Sequence, residues 1–315
     1  MDLKEKYSTA LYAAIVGDAQ CVPEESSAGQ EKALCSVKNL FGYGRFDQPQ
    51  GTWSDDTSMI LCTMDSLSRG YNLEDLSKTF CSWLFEGKWT PFGFVFDAGL
   101  TTVTALESIR SDMKSPLKSG CTSDDDNGNG SVMRILPAAL YFSRESIDNF
   151  LSKIYEISAI THAHPRSIIG CSLYALLVRK LLETDNKNEA YTATMDIIRE
   201  YFSKKPLFSN ELRHYDRLLS HEIITATKEN IDTSGYIVDT IETAIWSFMN
   251  YNTTREVLLS AVNLGLDTDT SGSLAGGLAG IVHGLESIPE VWITTLALKN
   301  DLDKLIHNFI TAALK

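Results

Sequence analysis

The chain is 315 residues long and carries 28 Lys and Arg against 41 Asp and Glu, a formal net charge of −13. Its 43% hydrophobic and 10% aromatic content supports a sizeable core and excludes wholesale disorder. The acid excess, with no basic run, argues against a nucleic-acid partner, although bound cations can reverse a local field and leave a small phosphate-bearing substrate compatible.

Helical periodicity dominates the chain. Tyr7, Leu11, Ala14 and Ile15 recur at three- and four-residue spacing, and the helix they mark is expected to end near Gly17-Asp18-Ala19. That acidic cluster, continued by Glu24 and Glu25, reads as a solvated loop, with a catalytic carboxylate as the sharper alternative. A stretch rich in Gly, Ser and aromatics follows over 23–53, then a second helical stripe through Ile60, Met64 and Leu67. Further stripes run over 103–109, 147–160, 168–182, 193–202, 212–227, 237–248, 255–264 and 274–285, with a second long connection over 114–130. Period-2 strands are scarce, no repeat has a fixed period, and no linker composition divides the chain. The expectation is an all-α or nearly all-α chain, in one domain over 1–315.

The early charges Asp2, Lys4, Glu5 and Lys6 are unlike a signal peptide, and no apolar run approaches the ~18 residues a membrane span needs. Six scattered cysteines, none spaced C-x-x-C, are too sparse for a disulfide scaffold. Cys62 and Cys171 fall inside apolar stripes, where a thiol behaves as a small hydrophobe. These features point to a cytoplasmic protein without a membrane partner, and a monomer is expected.

Three strings carry more polar chemistry than local structure demands. Ser54-Asp55-Asp56-Thr57 precedes the second helix and reads first as an N-cap; yet one cap needs one side chain, and adjacent carboxylates with hydroxyls suit Mg²⁺ or Mn²⁺. Asp267-Thr268-Asp269-Thr270 stands before the last of the stripes, and Asp267 and Asp269 would face one site if that segment is extended. It is not an EF-hand loop, because Leu278 stands where the closing Glu would be. The stripe that follows holds Gly276, Gly277, Gly280 and Gly284, each costing about 0.5–1 kcal/mol in a helix, so something must need close backbone approach there. Asn127-Gly128-Asn129-Gly130-Ser131, followed by Met133-Arg134, is either an Asn-Gly turn or a phosphate cradle; it lacks the Gly-Lys-Ser/Thr of a Walker loop. A fourth string, Thr161-His162-Ala163-His164-Pro165, suits a phosphate contact or a helix cap better than zinc.

In order and form these strings resemble the ADP-ribosylglycohydrolase family, of the dinitrogenase reductase-activating type, over nearly the whole chain. The resemblance implies a compact all-α orthogonal helical bundle of the ADP-ribosylglycohydrolase type with two Mg²⁺ (or Mn²⁺) ions in a cleft, held by Ser54, Asp55 and Asp56 on one side and Asp267, Asp269 and Thr270 on the other. It implies that Asn127 to Ser131 and His162 hold ADP-ribose, and that Glu25 reaches the reacting ribose. Phe96-Asp97-Ala98-Gly99 resembles the stretch in which an Asp acts near the scissile bond, favouring an arginine linkage. Ser54 replaces the usual Thr and keeps the hydroxyl. The substrate implied is an ADP-ribosylated protein or an ADP-ribose-containing small molecule, with a serine O-linkage as the alternative to arginine. An idle binding or structural role is the remaining reading, and four intact acids count against it.

Overall fold

The computed structural model describes residues 1–22, 47–112 and 115–315. Among them the regular structure is helical; the only strand-like pairings are isolated bridges, Cys121 to His162 and Gly128 to Tyr236.

Helix α1 (Leu3–Cys21) starts where Asp2 accepts the Glu5 amide at 2.8 Å. It continues through Gly17-Asp18-Ala19, so Asp18 lies inside a helix and is fully buried, not in a solvated loop. Helices α2 (Asp55–Ser68) and α3 (Leu73–Glu86) follow, α3 closing on left-handed Gly87 with φ 71°. A Cβ at Gly87 would sit 2.1 Å from the Gly93 carbonyl oxygen, so only glycine fits that turn. Helix α4 (Leu100–Asp112) then leads toward the 114–130 connection, which is less open than expected: it holds a helical turn, Pro116–Ser119, and a 3₁₀ turn, Asp124–Asp126.

After the 3₁₀ segment Asn129–Arg134 come α5 (Leu136–Tyr141), α6 (Ile147–Ala159), α7 (Pro165–Glu183) and α8 (Lys187–Ser203). The expected helix over 212–227 is instead a series of short turns, Glu211–Tyr215, Asp216–Leu219 and Glu222–Thr225. His221 breaks it with φ 68°, and side chains of α8 take the carbonyls a helix would use: Tyr191 donates to Leu218 O at 2.6 Å, Arg199 to Leu219 O at 2.6 Å. The apolar period was real, since Tyr215, Leu218 and Ile223 are buried, but it reported burial and not continuity.

Helices α9 (Ile237–Asn250), α10 (Thr254–Val262), α11 (Thr268–His283) and α12 (Lys299–Ala313) complete the bundle. The central pair is α1 against α11, running antiparallel. Cβ atoms at Gly276 and Gly280 would stand 2.3 Å and 2.4 Å from the carbonyl oxygens of Ala13 and Thr9, and one at Gly17 2.3 Å from that of Gly272. This is the close backbone approach the glycines predict, sealed by the Thr9 hydroxyl donating to Gly280 O at 2.6 Å. On the neighbouring face a Cβ at Gly277 would meet the Tyr174 hydroxyl of α7 at 2.7 Å. The buried apolar side chains around this pair form one large contiguous cluster. No helix among the described residues is long and apolar enough to cross a membrane.

Candidate active site

A cavity of about 270 Å³ opens where the N-termini of α2, α4 and α11 meet the 3₁₀ segment at Asn129. Asp55, Asp56, Asp97, Asp267, Asp269 and Thr270 supply its acidic side, and Gly128, Asn129, Gly130 and His162 face them. Two strings more than 200 positions apart are therefore brought to one place.

The α2 end is built first by capping. Ser54 Oγ accepts the Asp56 amide at 3.2 Å, so the capping reading of Ser54 holds alongside any other role. Asp18, reaching across from α1, accepts the Ser54 amide at 3.1 Å and the Thr57 amide at 2.9 Å. These bonds fix the direction of Asp55 and Asp56. At the α11 end Gly265 (φ 93°) and Leu266 (φ 61°) are both left-handed, a conformation costing Leu about 1–2 kcal/mol. The segment does not take the extended form considered from the sequence: Asp267 occupies the N-cap position without a side-chain capping bond, and Asp269 and Thr270 lie in the first turn of the helix. They still reach the cavity, because the left-handed pair delivers the chain there. The Thr270 hydroxyl donates to Asp56 Oδ2 at 3.1 Å, joining the two ends.

Burial above all, and then mutual repulsion, pushes Asp55 and Asp56 well above the ordinary carboxylate range. The charge of Asp97 is the strongest acting on Asp55. Asp18 is pushed up to about 7 by burial and the Asp269 charge, against the bonds from Thr57 and Ser54. Asp269 is raised by burial, opposed by hydrogen bonds that include Thr270, Asp267 and Ser54. Asp56 Oδ1 is buried without a hydrogen-bond partner among the described residues. An orphaned carboxylate oxygen beside three more acids and two hydroxyls is a hard-oxygen donor set that suits Mg²⁺ or Mn²⁺. Among the described residues no three Asp, Glu, His or Cys side chains stand as a finished metal shell. Mg²⁺ needs none, because it keeps several waters and takes one or two carboxylates.

The opposite wall is held by backbone. The Asn129 amide donates to Gly235 O at 3.0 Å and the Ile237 amide to Asn127 O at 3.0 Å, which brings Gly235 into the lining. A Cβ at Gly130 would stand 2.9 Å from Thr102 Oγ1 and 3.0 Å from His162 Cε1, so glycine lets the loop lie against both. The Asn129 amide group donates to Thr240 Oγ1 at 3.1 Å and to the Asp267 carboxylate, tying this wall to the acidic one.

The structure does not bring every expected residue to the cavity. Asn127 turns inward, accepting from Ser167 at 2.9 Å and donating to Asp124 O at 3.0 Å. Ser131 is fully buried against Cys171, 3.2 Å away. Ser54 borders a small hollow shared with Asp55 and Asp97 instead of the main cavity. His164 caps α7, accepting the Arg166 amide at 3.2 Å, whereas His162 faces the cavity. Glu25 lies outside the described residues. Leu100, Thr101, Thr102, Met133 and Gly235 line the cavity without having been expected. Nothing local in the sequence marks Gly235, since its place depends on pairing with Asn129.

Comparison with known proteins decides the family. The ADP-ribosylglycohydrolase family model matches residues 1–315. The chain belongs to the ADP-ribosylglycohydrolase family. It is an enzyme, an ADP-ribosyl glycohydrolase. It is 29% identical over 280 residues to the ADP-ribosylarginine hydrolase Tri1 of Pseudomonas putida, covering 88% of this chain and 71% of that one. It is 31% identical over 264 residues to the ADP-ribosyl-[dinitrogen reductase] glycohydrolase of Rhodospirillum rubrum, covering 83% and 79%. A solved structure described as an ADP-ribosylglycohydrolase-related protein complex superposes with a TM-score of 0.80 at 25% identity, covering 99% of both chains. The all-α bundle is thus the fold of this glycohydrolase.

Proposed function

We propose that this chain is a Mg²⁺-dependent hydrolase that removes ADP-ribose from modified protein side chains, with ADP-ribosylarginine as its substrate. The observation that carries the reading is the orphaned Asp56 Oδ1 in a cavity whose other wall is the Gly128–Gly130 backbone and His162. An acidic side able to take cations thus faces a side able to take an anion, as a substrate with both a ribose diol and a pyrophosphate requires. The name of the Pseudomonas putida relative, an ADP-ribosylarginine hydrolase, supports arginine as the linked residue, and that of the Rhodospirillum rubrum relative supports a modified protein as the substrate.

Asp55, Asp56, Asp267 and Asp269 would hold two ions, with the Ser54 and Thr270 hydroxyls beside them. When bound, these ions neutralise the acids and polarise the ribose hydroxyl oxygens. The chain's own residues do the rest. The Gly128–Gly130 backbone and His162 orient the pyrophosphate, so that C1″ of the distal ribose lies over the acids. Asp97 stands at the acidic wall, close enough to act on Asp55. Its carboxylate takes a proton from the water that attacks C1″, while the guanidine leaves with the electrons of the C1″–N bond. Asp97, outside the four acids that would hold the ions, also attracts a guanidinium entering this cleft.

The test is release of free ADP-ribose from arginine-, serine- and aspartate-modified proteins, with Mg²⁺ and with EDTA. Release from the arginine-linked protein, lost in EDTA and restored by added Mg²⁺, is expected. Release confined to the serine-linked protein would reassign the linkage, and undiminished release in EDTA would remove the metal from the reading.

A further inference from the structure

Behind the cavity lies a charge that the reaction does not use. Arg134 is fully buried and, among the described residues, forms no salt bridge, although the charge of Asp55 acts on it. Its guanidinium lies over the Phe80 ring, 4.7 Å from the centroid, and donates to Gly130 O at 2.8 Å, to Ile157 O at 3.3 Å and to Thr161 Oγ1 at 2.7 Å. Thr161 is itself fully buried, and its hydroxyl oxygen lies 2.7 Å from His162 Nδ1.

We propose that Arg134 and Thr161 fix His162 as the Nε2–H tautomer, so that the imidazole meets the cavity as a hydrogen-bond donor to an anionic oxygen. The direction of each bond follows from what each group can do. A guanidinium only donates, so Thr161 Oγ1 is the acceptor in the first bond. The hydroxyl hydrogen then has one described acceptor within reach, His162 Nδ1, and a buried hydroxyl left without an acceptor would cost about 1–3 kcal/mol. Accepting from the charged Arg134 strengthens the hydroxyl as a donor in turn. With Nδ1 accepting, the hydrogen of the neutral ring sits on Nε2.

That nitrogen points the right way. Cβ atoms at Gly130 and Gly128 would stand 3.4 Å and 3.9 Å from it, which places it against the glycine loop of the cavity wall. Burial and the Arg134 charge together hold the His162 imidazole neutral, down to about 3. One guanidinium thereby sets both halves of the anion-facing wall: it ties back the Gly130 carbonyl and, through Thr161, aims the His162 N–H. Arg134 and Thr161 act as positioning residues and need not touch the substrate.

The inference rests on the proposed function only for what the donor meets, and the experiment separates the two. In the full-length protein labelled with ¹⁵N-histidine, two-bond ¹⁵N–¹H correlations at neutral pH are expected to show His162 with Nε2 protonated and Nδ1 as acceptor. Thr161→Val is expected to lose that pattern and to weaken ADP-ribose binding by about tenfold in calorimetry, with Thr161→Ser restoring both. An Nδ1–H or doubly protonated His162 in the wild-type protein would overturn the proposal, and so would an unchanged tautomer in Thr161→Val. The wild-type spectrum decides even if Thr161→Val fails to fold. An Nε2–H tautomer in a protein that does not bind ADP-ribose would uphold this inference and count against the proposed function.

Discussion

Asp269 is the acid on which most of the site's local forces meet. It is buried, accepts its neighbour's amide from Thr270 at 2.9 Å, and adds its charge to those acting on Asp18, Asp55 and Asp56. Replacing it by Asn keeps size and one acceptor but removes the charge. Asp269→Asn is expected to lower kcat/KM for ADP-ribose release by about 100-fold or more. The metal-free protein should meanwhile melt at the same temperature or higher, because one repelling carboxylate is gone. Loss of activity together with a large fall in melting temperature would instead mark Asp269 as a folding residue.

At this scale the sequence was partly readable. Redundant acids beside helix starts marked Asp55, Asp56, Asp267 and Asp269, because no cap needs so many carboxylates. The place of Asp18 is not legible, since a single Asp near a helix end gives no sign that it will cap a different helix across the core. Adjacency in sequence groups Asn127 and Ser131 with their neighbours, but Asn127 lies between two 3₁₀ turns and Ser131 within the second, and the side chains of both point inward.

Among the elements, the seam between α1 and α11 governs the rest. Its glycines forgo helix propensity, and the structure shows what replaces it: backbones so close that a methyl group at Gly276 would overlap the Ala13 carbonyl oxygen. On propensity alone Gly276→Ala would stabilise α11 by about 0.5–1 kcal/mol. Overlap with backbone wins, so the substitution is expected to cost about 3 kcal/mol, read as a lowered midpoint in urea unfolding. A gain in stability would mean that the helices part freely. The glycine stripe makes this contact legible in advance, though not its partner, because the small residues Thr9, Ala13 and Gly17 of α1 do not by themselves say which helix they meet. The expectation for 212–227 failed because the captors of its carbonyls, Tyr191 and Arg199, belong to another helix.

Taken as a whole, the molecule folds around clustered acids and should feel their ionisation. Asp18 is raised to about 7, and Asp55, Asp56 and Asp269 move in the same direction. Carboxylates in the unfolded chain ionise near about 4, so between about 4 and about 7 the folded state binds more protons than the unfolded one. Stability therefore falls as pH rises through that window. The metal-free protein is expected to melt at a higher temperature at about pH 5 than at about pH 8, and added Mg²⁺ should narrow the difference by binding only the folded form. A melting temperature that is indifferent to pH and to Mg²⁺ would contradict this account.

The Thr270–Asp56 hydrogen bond joins residues 214 positions apart, with α1 and α11 closing around it. During synthesis the ribosome delivers Asp55 and Asp56 long before their opposite numbers exist. A nascent chain that stops short of Asp267 carries half of an acidic cluster and no cleft. Hydrolytic competence needs α11 in place, because its first turn carries Asp269 and Thr270 and its glycines seat against α1. Products that end before Asp267 have no assembled cleft in which to strip ADP-ribose from a protein.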